Sequence, residues 1–190
     1  MKRLTSIFIG FLAFAFGGCK ETPPAPPTVG PTQLATPAVT LGAITPTTAA
    51  FSWENLNKMK ETVGKEKLVL DLSCRRKDGK YYIVTDRWQK FTDVTMTLDI
   101  MKELGSYCDE FLVHAVDVEG KASGIEEELV RLLGNWGKIP VTYAGGVGDF
   151  EDLARLKKLG KNMLNVTIGS ALDLFGGTMS YEKVKEFCRE

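Results

Sequence analysis

The chain has 190 residues, 44% of them hydrophobic, and its 24 lysines and arginines balance 24 aspartates and glutamates. That size and apolar content allow one ordinary domain and a tail. The even charge, with no basic cluster interleaved with aromatics, excludes a nucleic-acid surface and points to a small-molecule partner. Taken in order, the chain opens with Lys2 and Arg3, an apolar run over 7–16, and Gly17-Gly18-Cys19. The run is too short to cross a bilayer as a stable helix, so the segment reads as an export signal rather than a membrane span.

The placement of Cys19 after two glycines resembles a bacterial lipoprotein signal. The resemblance implies a lipidated Cys19 and membrane contact through this signal alone. Residues 20–37, rich in Pro, Thr and Ala, are too poor in large apolar side chains to fold and are expected to form a disordered tether. Two short strands are expected at 38–44 and 49–53, the second closing on Trp53. They resemble the first two strands of a fibronectin type III domain, which needs about seven.

From residue 55 the character changes. A helical stretch over 55–66 contains Gly64 as a stop signal, and strands and helices then alternate. Strands are predicted at 67–73, 110–118, 139–144 and 165–169. Helices are predicted at 98–107, 125–133, 149–158 and 181–188. Asp78-Gly79 predicts a hairpin turn, and so a small β-arm beyond the first strand. The fold class is α/β, with four parallel βα units that amount to half of a (β/α)8 barrel.

Two of these strands run into glycine, at Ala144-Gly145-Gly146 and at Ile168-Gly169-Ser170, each expected to open a helix. Glycine lets backbone N–H groups approach an anion, and a helix N-terminus adds partial positive charge. Consecutive turns of this kind read as a phosphate grip. At the same rim, Asp71 lies among apolar neighbours on a strand expected to be buried on both faces. It is either a general acid raised by desolvation or a structural carboxylate paired with Arg75 or Arg76. His114, the sole histidine, ends the next strand, with Asp117 and Glu119 just beyond it. It is either a core residue or a catalyst. Trp88 is placed to cover a ligand ring or to cap the mouth of the sheet.

The runs LVLDLSCRRKDG (68–79), TDRWQKF (85–91), EFLVHA (110–115), VEG (118–120), YAGG (143–146) and IGSALD (168–173) resemble the phosphoribosylformimino aminoimidazole carboxamide ribotide isomerase of histidine biosynthesis, in its plant and fungal form. The resemblance covers residue 55 to the end. It implies a (β/α)8 barrel that uses no metal or organic cofactor and carries an aminoaldose with two phosphates to an aminoketose by an Amadori rearrangement. It further implies that Asp71 is the general acid, that His114 orients the substrate where bacterial members have threonine, and that Trp88 stacks on the imidazole. Gly145, Gly146, Gly169 and Ser170 would hold one phosphate.

Strands one to four of that barrel have no counterpart in the sequence, and with them go the aspartate that serves as general base and the second phosphate site. Open sheet edges and an apolar inner wall are therefore expected to drive self-association or pairing with another half-barrel. Cys74, Cys108 and Cys188 lack metal-ligand spacing, and their odd number fits a reducing compartment, against the signal at the head. Two other readings stand beside the isomerase. One is a non-catalytic exported lipoprotein or phosphate-binding module. The other is a different phosphate-gripping barrel enzyme, which the Asp71 and Trp88 runs disfavour.

Overall fold

A computed structural model describes residues 52–189. The export signal with Cys19, the tether, and the fibronectin-like hairpin as far as residue 51 lie outside the described residues. Trp53, expected to close a strand, is instead the first residue of helix α1 (Trp53–Val63). The Ser52 side chain accepts a hydrogen bond from the Asn55 N–H at 3.3 Å, and this cap starts the helix. Gly64, at φ 88°, ends it, as the sequence suggests.

Strand β1 (Val69–Lys77) runs longer than expected because it continues straight into the hairpin. Asp78 and Gly79 take φ of 51° and 74°, the left-handed pair of a tight two-residue turn, and return the chain as β2 (Lys80–Thr85). Strand β3 (Lys90–Thr95) completes the predicted arm. The arm is tied down, since Tyr81 Oη donates to Glu126 at 2.7 Å and Arg76 pairs with Glu128 at 2.7 Å.

Helix α2 (Leu98–Leu104) follows, capped by Thr97, and leads to β4 (Glu110–Ala115). This strand stops three residues early because 116–120 turn back on themselves. Val118 N donates to the Ala115 carbonyl and Glu119 N to that of Val116. Then come α3 (Glu127–Gly134), β5 (Val141–Ala144), α4 (Phe150–Leu159), β6 (Leu164–Thr167) and α5 (Tyr181–Phe187). Asp149 caps α4 by accepting from Asp152 N at 2.9 Å.

The strands form a six-stranded sheet in the order β3-β2-β1-β4-β5-β6. β1, β4, β5 and β6 are mutually parallel, as the four predicted units require, and β2 and β3 are antiparallel. The architecture fits part of a (β/α)8 barrel. One face buries Leu70, Leu72, Phe111, Val113, Val141, Tyr143 and Val166 in a common core with Met101, Leu104, Leu129, Leu133, Leu153, Leu156 and Val184 from the helices. The opposite face is mixed where an apolar wall was expected, because Asp71, Ser73, Glu110, His114, Asn165 and Thr167 lie on it among Val69, Leu112 and Ala144. β1 pairs with β2 only from Cys74 onward, so among the described residues its segment 69–73 has one edge without a strand partner, as does β6.

Candidate active site at the strand ends

Alternate residues of β1 point to the open face, and three of them hold the site together. Asp71 is not buried as its apolar neighbours suggested, since its side chain is 54% exposed. The reason is that the described elements cover one face of the sheet and the carboxylate is on the other. It does not pair with Arg75 or Arg76 either. Its Oδ1 lies 2.8 Å from Nδ1 of His114, 43 residues away in sequence. Strand register explains the meeting, because Asp71 stands opposite Leu112 and Ser73 opposite His114, which makes the pair diagonal neighbours.

His114 is three-quarters buried, which by itself lowers the pKa of an imidazole. The hydrogen bond to Asp71, and the negative charges of Asp71 and Glu119, outweigh the burial and hold the pKa above the ordinary histidine value. A protonated imidazole beside a carboxylate can pass a proton across 2.8 Å. Cys74, next along the strand, is excluded as a nucleophile. Burial first, and the Asp71 charge second, push its thiol up to about 12.

Ser73 accepts a hydrogen bond from Trp88 Nε1 at 3.1 Å, which draws the predicted indole onto the strand end. Arg75 donates from Nε to Asp117 Oδ1 at 2.9 Å, while the second oxygen of Asp117 accepts from Arg76 N at 2.8 Å. Asp117 thus clamps the end of β1. The sequence marked it only as a rim carboxylate, and the turn that folds it back has no local signal. Ser73 was also missed, although a polar residue two positions after Asp71 shares its strand face by period.

The glycine turns lie at the same end of the sheet. Ser73, His114, Ala144 and Thr167 form one in-register row across the four parallel strands, and the turns begin directly after its last two members. Gly145 and Gly146 are buried, at φ 121° and 77°. Packing alone requires glycine at both. A Cβ on Gly146 would overlap the Gly124 carbonyl, and one on Gly145 would lie 2.9 Å from the Ala115 oxygen and 3.1 Å from Glu119 Oε2. That Glu119 oxygen is buried and has no hydrogen-bond partner among the described residues, so a carboxylate borders the first turn.

Gly169 and Ser170 are exposed. They do not open an α-helix as expected but lead to a 3-10 turn, Asp173–Phe175, held by Phe175 N donating to the Leu172 carbonyl. A cleft of about 520 Å³ lined by Lys65, Trp136 and Ile139 opens at the opposite end, where the strands begin, and takes no part in this constellation. Among the described residues no group of three His, Cys, Asp or Glu could hold a metal ion, and no helix is long and apolar enough to cross a membrane.

Residues 38–179 match the family model described as histidine biosynthesis protein. The match begins ahead of residue 55 and so takes in the stretch that resembles fibronectin. A chloroplastic imidazole-4-carboxamide isomerase of Medicago truncatula, whose name carries two phosphoribosyl groups, is 59% identical over 131 residues, covering 69% of this chain and 42% of the relative. Isomerases of the same name from Yarrowia lipolytica and Saccharomyces cerevisiae are 51% and 39% identical, covering 64% and 73% of this chain and 46% and 54% of their own. The chain therefore spans about half the length of the curated relatives it matches. The extent of the family match, well over half of the chain, shows that this protein belongs to the histidine biosynthesis protein family.

Proposed function

We propose that this chain supplies the acid half of an isomerase that carries a bisphosphorylated aminoaldose to its aminoketose in histidine biosynthesis. The observation that carries the reading is that the in-register row Ser73, His114, Ala144 and Thr167 joins His114, with Asp71 diagonal to it at 2.8 Å, to the strand ends that run into the two glycine turns. The relatives' names, with their two phosphoribosyl groups, support it. In the rearrangement an acid protonates the ring oxygen as the C1–O bond breaks and leaves an iminium. A base removes the C2 proton to give the enolamine, and this tautomerises to the ketone by gaining a proton at C1 and losing that of the C2 hydroxyl. Asp71 and His114 hold one transferable proton between them, and Asp71 delivers it. Trp88 stacks on the imidazole of the substrate, and Gly145, Gly146, Gly169 and Ser170 hold one phosphate. Such proton transfers need no metal or organic cofactor.

The general base and the second phosphate site come from another, complementary βα half-barrel that pairs along β6 and the open segment of β1; a second copy of this chain, pairing along the same edges, would bring neither. The polar residues on the inner face support pairing in register over loose hydrophobic contact. We also assign Cys19 as a lipid acceptor at the mature N-terminus. Intact mass decides that point, since a diacylated cysteine supports it and a chain beginning at Met1 removes it.

The deciding experiment is turnover of the bisphosphorylated aminoaldose by the full chain, alone and mixed with the N-terminal half of a relative, with solution mass recorded alongside. Turnover that appears with assembly supports the reading. A folded, assembled protein that binds phosphate without turnover would overturn it.

A further inference from the structure

We propose that Ser73 is a positioning residue, whose hydroxyl fixes the Trp88 indole over the strand-end site. Ser73 lies on the same strand face as Asp71, stands in register with His114, and accepts from Trp88 Nε1 at 3.1 Å. The loop needs such an anchor. Asp86, Arg87 and Trp88 take φ of 52°, 54° and 70° in succession, left-handed conformations that cost about 1 kcal/mol or more for each residue with a side chain.

Within the loop, Gln89 N donates to the Asp86 carbonyl at 3.2 Å, and Lys90 pairs with Asp86 at 2.9 Å between exposed side chains. A surface ion pair of that kind offsets little of the strain. The remaining hold comes from β1, through Ser73 on the indole and through Arg75, whose guanidinium donates to the Trp88 carbonyl at 3.5 Å while Asp117 fixes its other edge. The indole N–H is thus satisfied by a neutral hydroxyl. The Asp71 carboxylate keeps its own partner, His114, at 2.8 Å.

What the ring is held for rests on the isomerase reading above; that it is held does not. The test uses the full chain and four variants. Subtracting the emission of Trp88→Phe removes Trp53 and Trp136 and leaves the signal of Trp88. Ser73→Ala is expected to shift that signal to the red, and to weaken binding of 5-aminoimidazole-4-carboxamide ribotide about three- to tenfold, the loss of roughly one hydrogen bond, while inorganic phosphate binds as before. Ser73→Thr and Ser73→Val have the same shape and both favour a strand. Thr, which keeps the hydroxyl, should retain the parent emission and affinity, and Val should lose both. This second comparison stands if the alanine variant fails to fold. Unchanged emission in both Ser73→Ala and Ser73→Val, or, with a parent that binds the ribotide, equal ribotide affinity in the Thr and Val variants, overturns the proposal. A parent chain that binds phosphate but not the ribotide overturns the isomerase reading instead, and the emission shift still decides the anchor.

Discussion

The two sides of the strand-end site are built in different ways. On β1 and β4 the site is made of side chains, and each reaches its place through a cross-strand or loop partner: Asp71 on His114, Ser73 on Trp88, Arg75 on Asp117. After β5 and β6 it is made of backbone, and the glycines of the first turn are fixed by how closely the 115–124 loop approaches them. A side-chain site tolerates substitution of its members with little harm to the fold. The backbone of the first turn does not, because Gly145 and Gly146, which form it, also make the packing possible.

The largest expected effect follows from that difference. Gly146→Ala meets both a left-handed φ of 77° and the Gly124 carbonyl, so it should lower stability by about 3 kcal/mol, measured by denaturant unfolding. Gly169→Ala meets nothing within 4 Å and should unfold like the parent. Equal stability of all three proteins would remove the packing account of the first turn.

On the other side, Asp71→Asn should leave stability close to the parent, since the side chain is half exposed. It should cut turnover of the complemented assembly about a hundredfold or more, the usual contribution of a positioned acid. Phosphate affinity should be untouched. A loss of phosphate affinity matching the loss of turnover would show that the two sides are not separate.

The pH dependence is a smaller effect and belongs to the same side. Folding raises the pKa of His114 above its ordinary value near 6.5. The folded state therefore holds a proton that the unfolded chain has released in the window above 6.5. The stabilisation is fully present below that value and is lost as pH rises through the folded pKa. Thermal unfolding of the parent should decline over that window more steeply than that of His114→Gln. Because His114 is the sole histidine, its ring signals in NMR report the titration directly. A midpoint at or below 6.5 would contradict the stated balance between burial and the two carboxylates.

Much of this side was legible before the fold was known. The run LVLDLS and the run FLVHA end at one rim of a parallel sheet, which placed Asp71 and His114 at the same end, but their contact, in place of an Arg75 or Arg76 partner, was not legible. Asp78-Gly79 announced its hairpin, and Asp149 its helix. The burial of Asp71 was misjudged because an apolar run reports which strand it is, not how many faces its neighbours cover. Trp53 was misplaced because β-forming composition gave way to the Ser52 cap. The roles of Ser73, Asp117 and Glu119 were not legible, since each depends on where a loop returns. No periodicity in one segment records that.

The smallest predicted effect tests where the two sides meet. Glu119 bears on both: its charge helps to raise His114, and its buried Oε2, without a partner, lies against Gly145. A carboxylate there favours the imidazolium and repels an anion at the turn, so the two sides are coupled through one side chain with opposite signs. Glu119→Gln keeps the shape and removes the charge. It should lower the midpoint of His114 and strengthen binding of inorganic phosphate by about two- to fivefold, the scale of one partly screened charge. The His114 shift and the phosphate gain must appear together, because both come from the same charge. If His114 moves and phosphate affinity does not, the first glycine turn is a packing device alone, and the anion is held after β6, where Gly169 and Ser170 are exposed.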